Sequence, residues 1–126
     1  VAALAAGDVT VWANHVTGGT AIEAVSTGGN VSITTLSGDI TLSGDVAVMG
    51  SGDIVLVADG NFINQAGADA LSTDSGRWLV QSTNPLLDTT DGLTAEFKYY
   101  GTTATSVAGI ADLAGKDGFV YEFEIL

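Results

Sequence analysis

Residues 28–64 read GGNVSITTLSGDITLSGDVAVMGSGDIVLVADGNFIN, in which one short phrase recurs at Gly29, Gly38, Gly44, Gly52 and Gly60. Each copy is Gly-Asn or Gly-Asp followed by β-branched residues in alternation, which predicts a corner and then a strand. Glycine is expected to supply the positive φ of a tight corner, and Asp or Asn to bond nearby backbone. A strand of five residues cannot bury its apolar side alone. Such units are stable only when stacked, so the period of the phrase decides the fold.

Working outward, the strand-initiating glycines Gly7, Gly29, Gly52 and Gly76 lie 22, 23 and 24 residues apart. They are followed by Asp-Val-Thr-Val, Asn-Val-Ser-Ile, Asp-Ile-Val-Leu and Arg-Trp-Leu-Val, with secondary strand starts near Gly19, Gly38 and Gly60. Two or three strands per repeat predict an all-β chain, a parallel β-helix (β-solenoid) whose coils lie about 4.8 Å apart along one axis. Glycine every six to ten residues excludes long helices. An antiparallel sandwich accounts for the short strands but not for the recurrence.

The expected organisation is a single domain over 1–126, with regular coils in 1–64 and coils with longer loops and a capping strand in 65–126. The opening Val-Ala-Ala-Leu-Ala-Ala reads as the end of a preceding coil, so the chain is expected to be a piece of a longer protein. Stacking predicts one inward file of Val9, Val31, Ile54 and Trp78 and a second of Val11, Ile33, Leu56 and Val80. Ile22, Val25, Leu36, Ile40, Leu42, Val46, Val48, Val57 and Phe62 are further core candidates. An outward column of Asp8, Asn30, Asp53 and Arg77 is expected to be a solvated edge with one weak ion pair. Residues 65–76 read as a loop, and Pro85 ends the strand before it. In the last strand, Phe119, Tyr121 and Phe123 share one face and Glu122 and Glu124 the other. Gly118 lies 42 residues beyond Gly76, close to two periods.

Composition narrows the function. The net charge is -12 with three basic residues, which excludes nucleic acid and anionic lipid as partners. Sparse Lys, abundant Gly, Ser, Thr and Asp and the absence of cysteine suit a protein that works outside the cell. No run of 18 apolar residues spans a bilayer. His15, the sole histidine, has no second ligand type at metal spacing and reads as a corner residue.

Residues 61–85, NFINQAGADALSTDSGRWLVQSTNP, resemble a phrase of filamentous-haemagglutinin-like exoproteins of Gram-negative bacteria, FxNxxGxxAL…GSGRWLVYSTxP, that closes arrays of GDI and GDV repeats. A second element of that phrase, GGL…F..Y, is similar to residues 92–100. Where Gln81 stands, family copies often have Tyr. The resemblance implies a right-handed parallel β-helix, export by two-partner secretion through an outer-membrane pore that serves the parent protein, and a bacterial cell-surface or secreted location. It also implies a role in adhesion or aggregation, with a glycan or protein on a host or neighbouring cell as partner.

The expected function is therefore a structural segment of a secreted adhesin-like exoprotein, and not an enzyme. Trp78, Tyr99 and Tyr100 are the candidate ligand-contacting residues, which makes a carbohydrate-binding module the alternative. A polysaccharide-degrading enzyme on a β-helix is the second alternative, with Asp39 and Asp45 or Asp53 and Asp59 as its acid pairs. Those aspartates flank corner glycines, where backbone bonding explains them. No catalytic residue, cofactor or resident metal is assigned. Calcium is the cation that Asp corners would suit, nearest Asp88 and Asp91. Open ends of a stacked fold admit end-to-end association between copies.

Overall fold

The computed structural model describes residues 2–5, 9–13, 16–17, 23–26, 29–42, 46–48 and 52–123. The regular structure of the described residues is mostly strand, and every described strand is paired in parallel. The first round consists of β1 (Ala2–Ala5), β2 (Val9–Ala13) and β3 (Val16–Thr17), and the second of β4 (Glu23–Ser26), β5 (Val31–Thr35) and β6 (Ile40–Leu42). The third holds β7 (Val46–Val48), β8 (Ile54–Val57) and β9 (Phe62–Asn64), followed by β10 (Leu71–Thr73) and β11 (Trp78–Ser82). The rest of the chain carries β12 (Phe97–Tyr100), a short helix α1 (Ala104–Ala108) and β13 (Gly118–Tyr121), with 3-10 turns at Pro85–Leu87 and Ala111–Leu113.

Through β11 the chain visits three sheets in strict rotation. Their orders are β1-β4-β7-β10, β12-β13-β11-β8-β5-β2 and β3-β6-β9. Val9 pairs with Val31, Val31 with Ile54 and Ile54 with Trp78, and the file of Val11, Ile33, Leu56 and Val80 is equally continuous. Both files stand in the expected register. Where side chains are described, inward positions are buried: Val31, Ile33, Ile40, Leu42, Val46, Val48, Ile54, Leu56, Phe62, Trp78 and Val80 form one core. His15, Asp8, Ile22 and Asp45 lie outside the described residues, as does the side chain of Val25.

Several expectations are corrected. Leu36 is 57 % exposed, because β5 ends at Thr35 and the chain has already turned. Thr35 takes the inward place, its Oγ1 donating to Gly38 O and accepting from Asp59 N. Val57 faces outward from β8 and is half-buried. The supposed loop 65–76 contains β10, whose Leu71 pairs with Val46.

The last strand in the sequence is not the last in the sheet. β13 lies between β11 and β12, with Phe119 in register with Val80, and β12 is the edge. The 42-residue separation of Gly118 from Gly76 therefore does not mark two further layers. Phe119 and Tyr121 supply large apolar faces to the core and take the inner position, while β12, with Lys98 and Tyr100 on the same side, takes the outer one. Phe123, beyond the end of β13, is 51 % exposed and does not join them.

The corner glycines are required for a reason other than conformation. Among described glycines, positive φ occurs at Gly67, Gly92, Gly101 and Gly115, and not at Gly52, Gly60 or Gly76. A Cβ on Gly52 would collide with Gly29 O, and one on Gly76 with Gly52 O. The repeated glycine lets backbone lie directly on backbone from one layer to the next.

Candidate functional site

The repeated Asp and Asn next to those glycines serve the layer above or below. Asn30 Oδ1 accepts from Asp53 N at 2.8 Å, Asp53 Oδ1 from Arg77 N at 2.9 Å, and Asp39 Oδ1 from Asn61 N at 2.7 Å. Asp88 Oδ1 accepts from Phe62 N at 2.9 Å and Asp91 Oδ2 from Gly67 N at 3.1 Å. Each carboxylate or amide thus satisfies a corner N–H that has no strand partner. Asp39, Asp53, Asp88 and Asp91, offered by sequence as acid pairs or calcium ligands, are spread over these corners. Among the described residues no three acidic or histidine side chains gather where one metal ion could be held.

Asp88 is half-buried. Desolvation pushes its carboxyl up from the usual value of 3.8, against hydrogen bonds from Ser82 Oγ and Phe62 N that pull it down, and the charge of Asp39 adds to the rise. Burial likewise raises Asp117, whose Oδ1 accepts from Trp78 N at 2.9 Å. Tyr121 is raised by burial first and then by Asp88 and Tyr100. Because both carboxyls are raised in the fold, the folded chain binds more protons than the unfolded one between 3.8 and their folded values. The stability they add is full below 3.8 and is lost as pH rises through those folded values. Urea midpoints are therefore expected to rise on mild acidification from neutral pH, and Asp88→Asn, which keeps the acceptor for Phe62 N, is expected to flatten that rise. An unchanged pH profile in Asp88→Asn would remove Asp88 from the account.

The outward face of β11 carries what the sequence reading missed. Arg77 is buried, and its Nη1 donates to Leu113 O at 2.7 Å instead of standing in a solvated column. Gln81, also buried, donates through Nε2 to Glu122 Oε1 at 3.0 Å and accepts at Oε1 from Ala104 N at 2.8 Å. Between them Leu79 packs with Val107, Leu113 and Val120 in a second, smaller core. The motif Arg-Trp-Leu-Val-Gln therefore faces two ways: Trp78 and Val80 fill the main core, and Arg77, Leu79 and Gln81 fasten the excursion over residues 101–116. Helix α1 starts at Thr103, whose Oγ1 accepts from Ser106 N, and stops at Gly109. Gln81→Ala or Arg77→Ala leaves a buried partner unsatisfied, at a cost of about 1–3 kcal/mol. Hydrogen exchange over residues 104–113 is expected to accelerate while that of Ile54 to Leu56 stays protected; uniform acceleration would contradict a local clamp.

The aromatic candidates do not form one platform. Trp78 is 3 % exposed, with its ring 5.2 Å from that of Phe119 in an edge-on contact. Tyr99 and Tyr100 are 39 % and 42 % exposed, but as neighbours on β12 they point to opposite faces. Tyr99 meets Phe97 edge-on at 5.8 Å, whereas Tyr100 stacks on Tyr121 at 5.3 Å. A sugar ring cannot lie across both.

A cavity of about 250 Å³ lies beside α1 on the outer face of the long sheet, lined by Val55, Val57, Leu79, Ala104, Thr105 and Ala108. Its walls are almost wholly apolar, so it suits an apolar group. Among the described residues no helix is long and apolar enough to cross a membrane. No protein-family model, curated protein or solved structure matches this chain.

Proposed function

We propose that the chain is a segment of a right-handed parallel β-helix from a secreted, filamentous-haemagglutinin-like exoprotein of a bacterial surface, serving as a rigid scaffold in adhesion or aggregation. The observation that carries this is the unbroken register Val9, Val31, Ile54, Trp78, with each residue one period from the next. Three parallel sheets visited in rotation bury the inward files that are described, and the corners are bonded from one round to the next, which suits an extended spacer. The polar groups support the same role. Corner aspartates, Asn64 and Gln81 are engaged in holding layers and loops, and among the described residues no buried side-chain polar atom lacks a hydrogen-bond partner.

The phrase whose wording resembles that of those exoproteins is occupied with contacts of the same kind. In FxNxxG, Phe62 is a core residue, Asn64 is fully buried, and Gly67 has a φ of 87°. Asn64 Nδ2 donates to Gly67 O and Thr90 O at 2.8 Å each, and its Oδ1 accepts from Ala66 N at 2.9 Å. These bonds secure a bend and the segment that crosses beside it. Adhesive specificity then belongs to other parts of the parent protein or to the exposed loops.

The test is a glycan array probed with the intact chain, with and without calcium. The expected result is no saturable binding in either condition. Saturable binding to one glycan class, abolished by Tyr99→Ala or Tyr100→Ala, would transfer the role to a carbohydrate-binding module.

A further inference from the structure

The parallel file of Val11, Ile33, Leu56, Val80 and Phe119 ends on a lysine. Lys98 is in register with Phe119 on β12, the terminal strand of the six-stranded sheet. Residues in register across a parallel pair share a face. Phe119 faces the core, 6.3 Å from Phe62 and 5.2 Å from Trp78 between ring centroids, so Lys98 stands on the core side of the last strand. It is exposed there, and among the described residues no strand is paired beyond β12. The chain has three basic residues in all, and one of them occupies this position. The stacking of Tyr100 on Tyr121 fixes the same face assignment two residues on.

An open strand edge presents unpaired N–H and C=O groups to any further strand, and a charge on its inward face is one of the devices by which sheets refuse that addition. A strand added to β12 would have to extend the apolar file across an ammonium group and remove that group from water. The neighbouring sheet is closed differently at this end. Thr89 forms a single parallel bridge with Ile63, and Leu93 from the same crossing segment is buried in the main core.

We propose that Lys98 is the guard that stops strand addition at β12, so that the stack cannot lengthen by docking a second copy of this chain at that end. This goes beyond the scaffold role and rests on register, ring contacts and the exposure of Lys98, so it stands or falls independently of the adhesin assignment. The test compares the unaltered chain with Lys98→Val, Lys98→Arg and Lys98→Glu by sedimentation velocity and electron microscopy over a range of concentrations. Salt is kept high enough to screen the net charge of -12. With one end guarded, the unaltered chain, Lys98→Arg and Lys98→Glu are expected to stop at a monomer or a closed pair. Lys98→Val, a change at an exposed side chain whose folding is verified by circular dichroism, is expected to grow open-ended, with its half-assembly concentration lowered by roughly tenfold or more. Open-ended growth of the unaltered chain, or a Lys98→Val chain no more assembled than the others, would overturn the inference.

Discussion

Gly76→Ala is expected to destabilise the chain by about 3 kcal/mol or more, a large fraction of the stability of a small domain. The new methyl group would enter the space held by Gly52 O and Asp53 Oδ1. Neither can withdraw at little cost. Gly52 O belongs to the backbone of the adjacent layer, and Asp53 Oδ1 is engaged by Arg77 N. Moving either would open the parallel pairing of β8 with β11, which begins at Ile54 and Trp78. The control is Gly67→Ala. Gly67 has a φ of 87° and open space around its α-carbon, so its substitution carries only the conformational penalty of about 1 kcal/mol. Gly67→Asn, a residue that tolerates the left-handed region, is expected to cost less still. If urea unfolding gave Gly76→Ala and Gly67→Ala equal losses, close backbone stacking would not be the reason for the repeated glycine.

That comparison also marks where the sequence was legible. The register was legible because two regularities coincide: strands alternate with period two, and the glycines recur every 22 to 24 residues, so only one alignment keeps Val9, Val31, Ile54 and Trp78 on one face. The reason for the glycines was not. A sequence shows that a side chain is missing, but a positive φ and a close backbone contact both demand its absence. The corner aspartates were rightly suspected of backbone bonding, though their partners lie 22 to 26 residues away at the adjacent corner and not in the same turn.

Legibility fails after residue 64 because tertiary position overrides local pattern there. β10 contains one large apolar residue, Leu71, and is held as a strand by pairing with β7. Arg77 looks like a surface cation until the turn at residues 111–113 is placed over it. Helix α1 is five residues long, with Thr103 and Gly109 as its only sequence signals. The exchange of order between β12 and β13 leaves no periodic trace at all. It is decided by which strand can offer Phe119 and Tyr121 to the core. Of the candidate ligand residues, the sequence identified aromatic side chains but not their division between a buried Trp78 and two tyrosines on opposite faces.

Phe119→Ala is expected to cost about 3–5 kcal/mol, because a fully enclosed aromatic ring is removed from a site that cannot collapse around the loss. The ring of Phe119 lies 6.3 Å from Phe62, 5.2 Å from Trp78 and 6.2 Å from Tyr121, and it is 1 % exposed. Trp78 and Phe62 sit on different sheets, so the cavity would be bounded by elements whose spacing is set by their own ladders, Trp78 on Ile54 and Phe62 on Ile40. β13 pairs with both β11 and β12, and the crossing segment around Leu93 packs into the same core. Loss of the ring should therefore weaken the whole of residues 88–123 before it reaches β5 and β8. Hydrogen exchange is expected to show β12 and β13 losing protection at lower urea than Ile33 and Leu56, a separation absent from the unaltered chain. Phe119→Leu, which retains most of the volume, is expected to cost under about 2 kcal/mol and to restore a single transition. If Phe119→Ala unfolded in one step with all strands together, the C-terminal strands would be an integral part of the stack's cooperativity and not a layer added to its end.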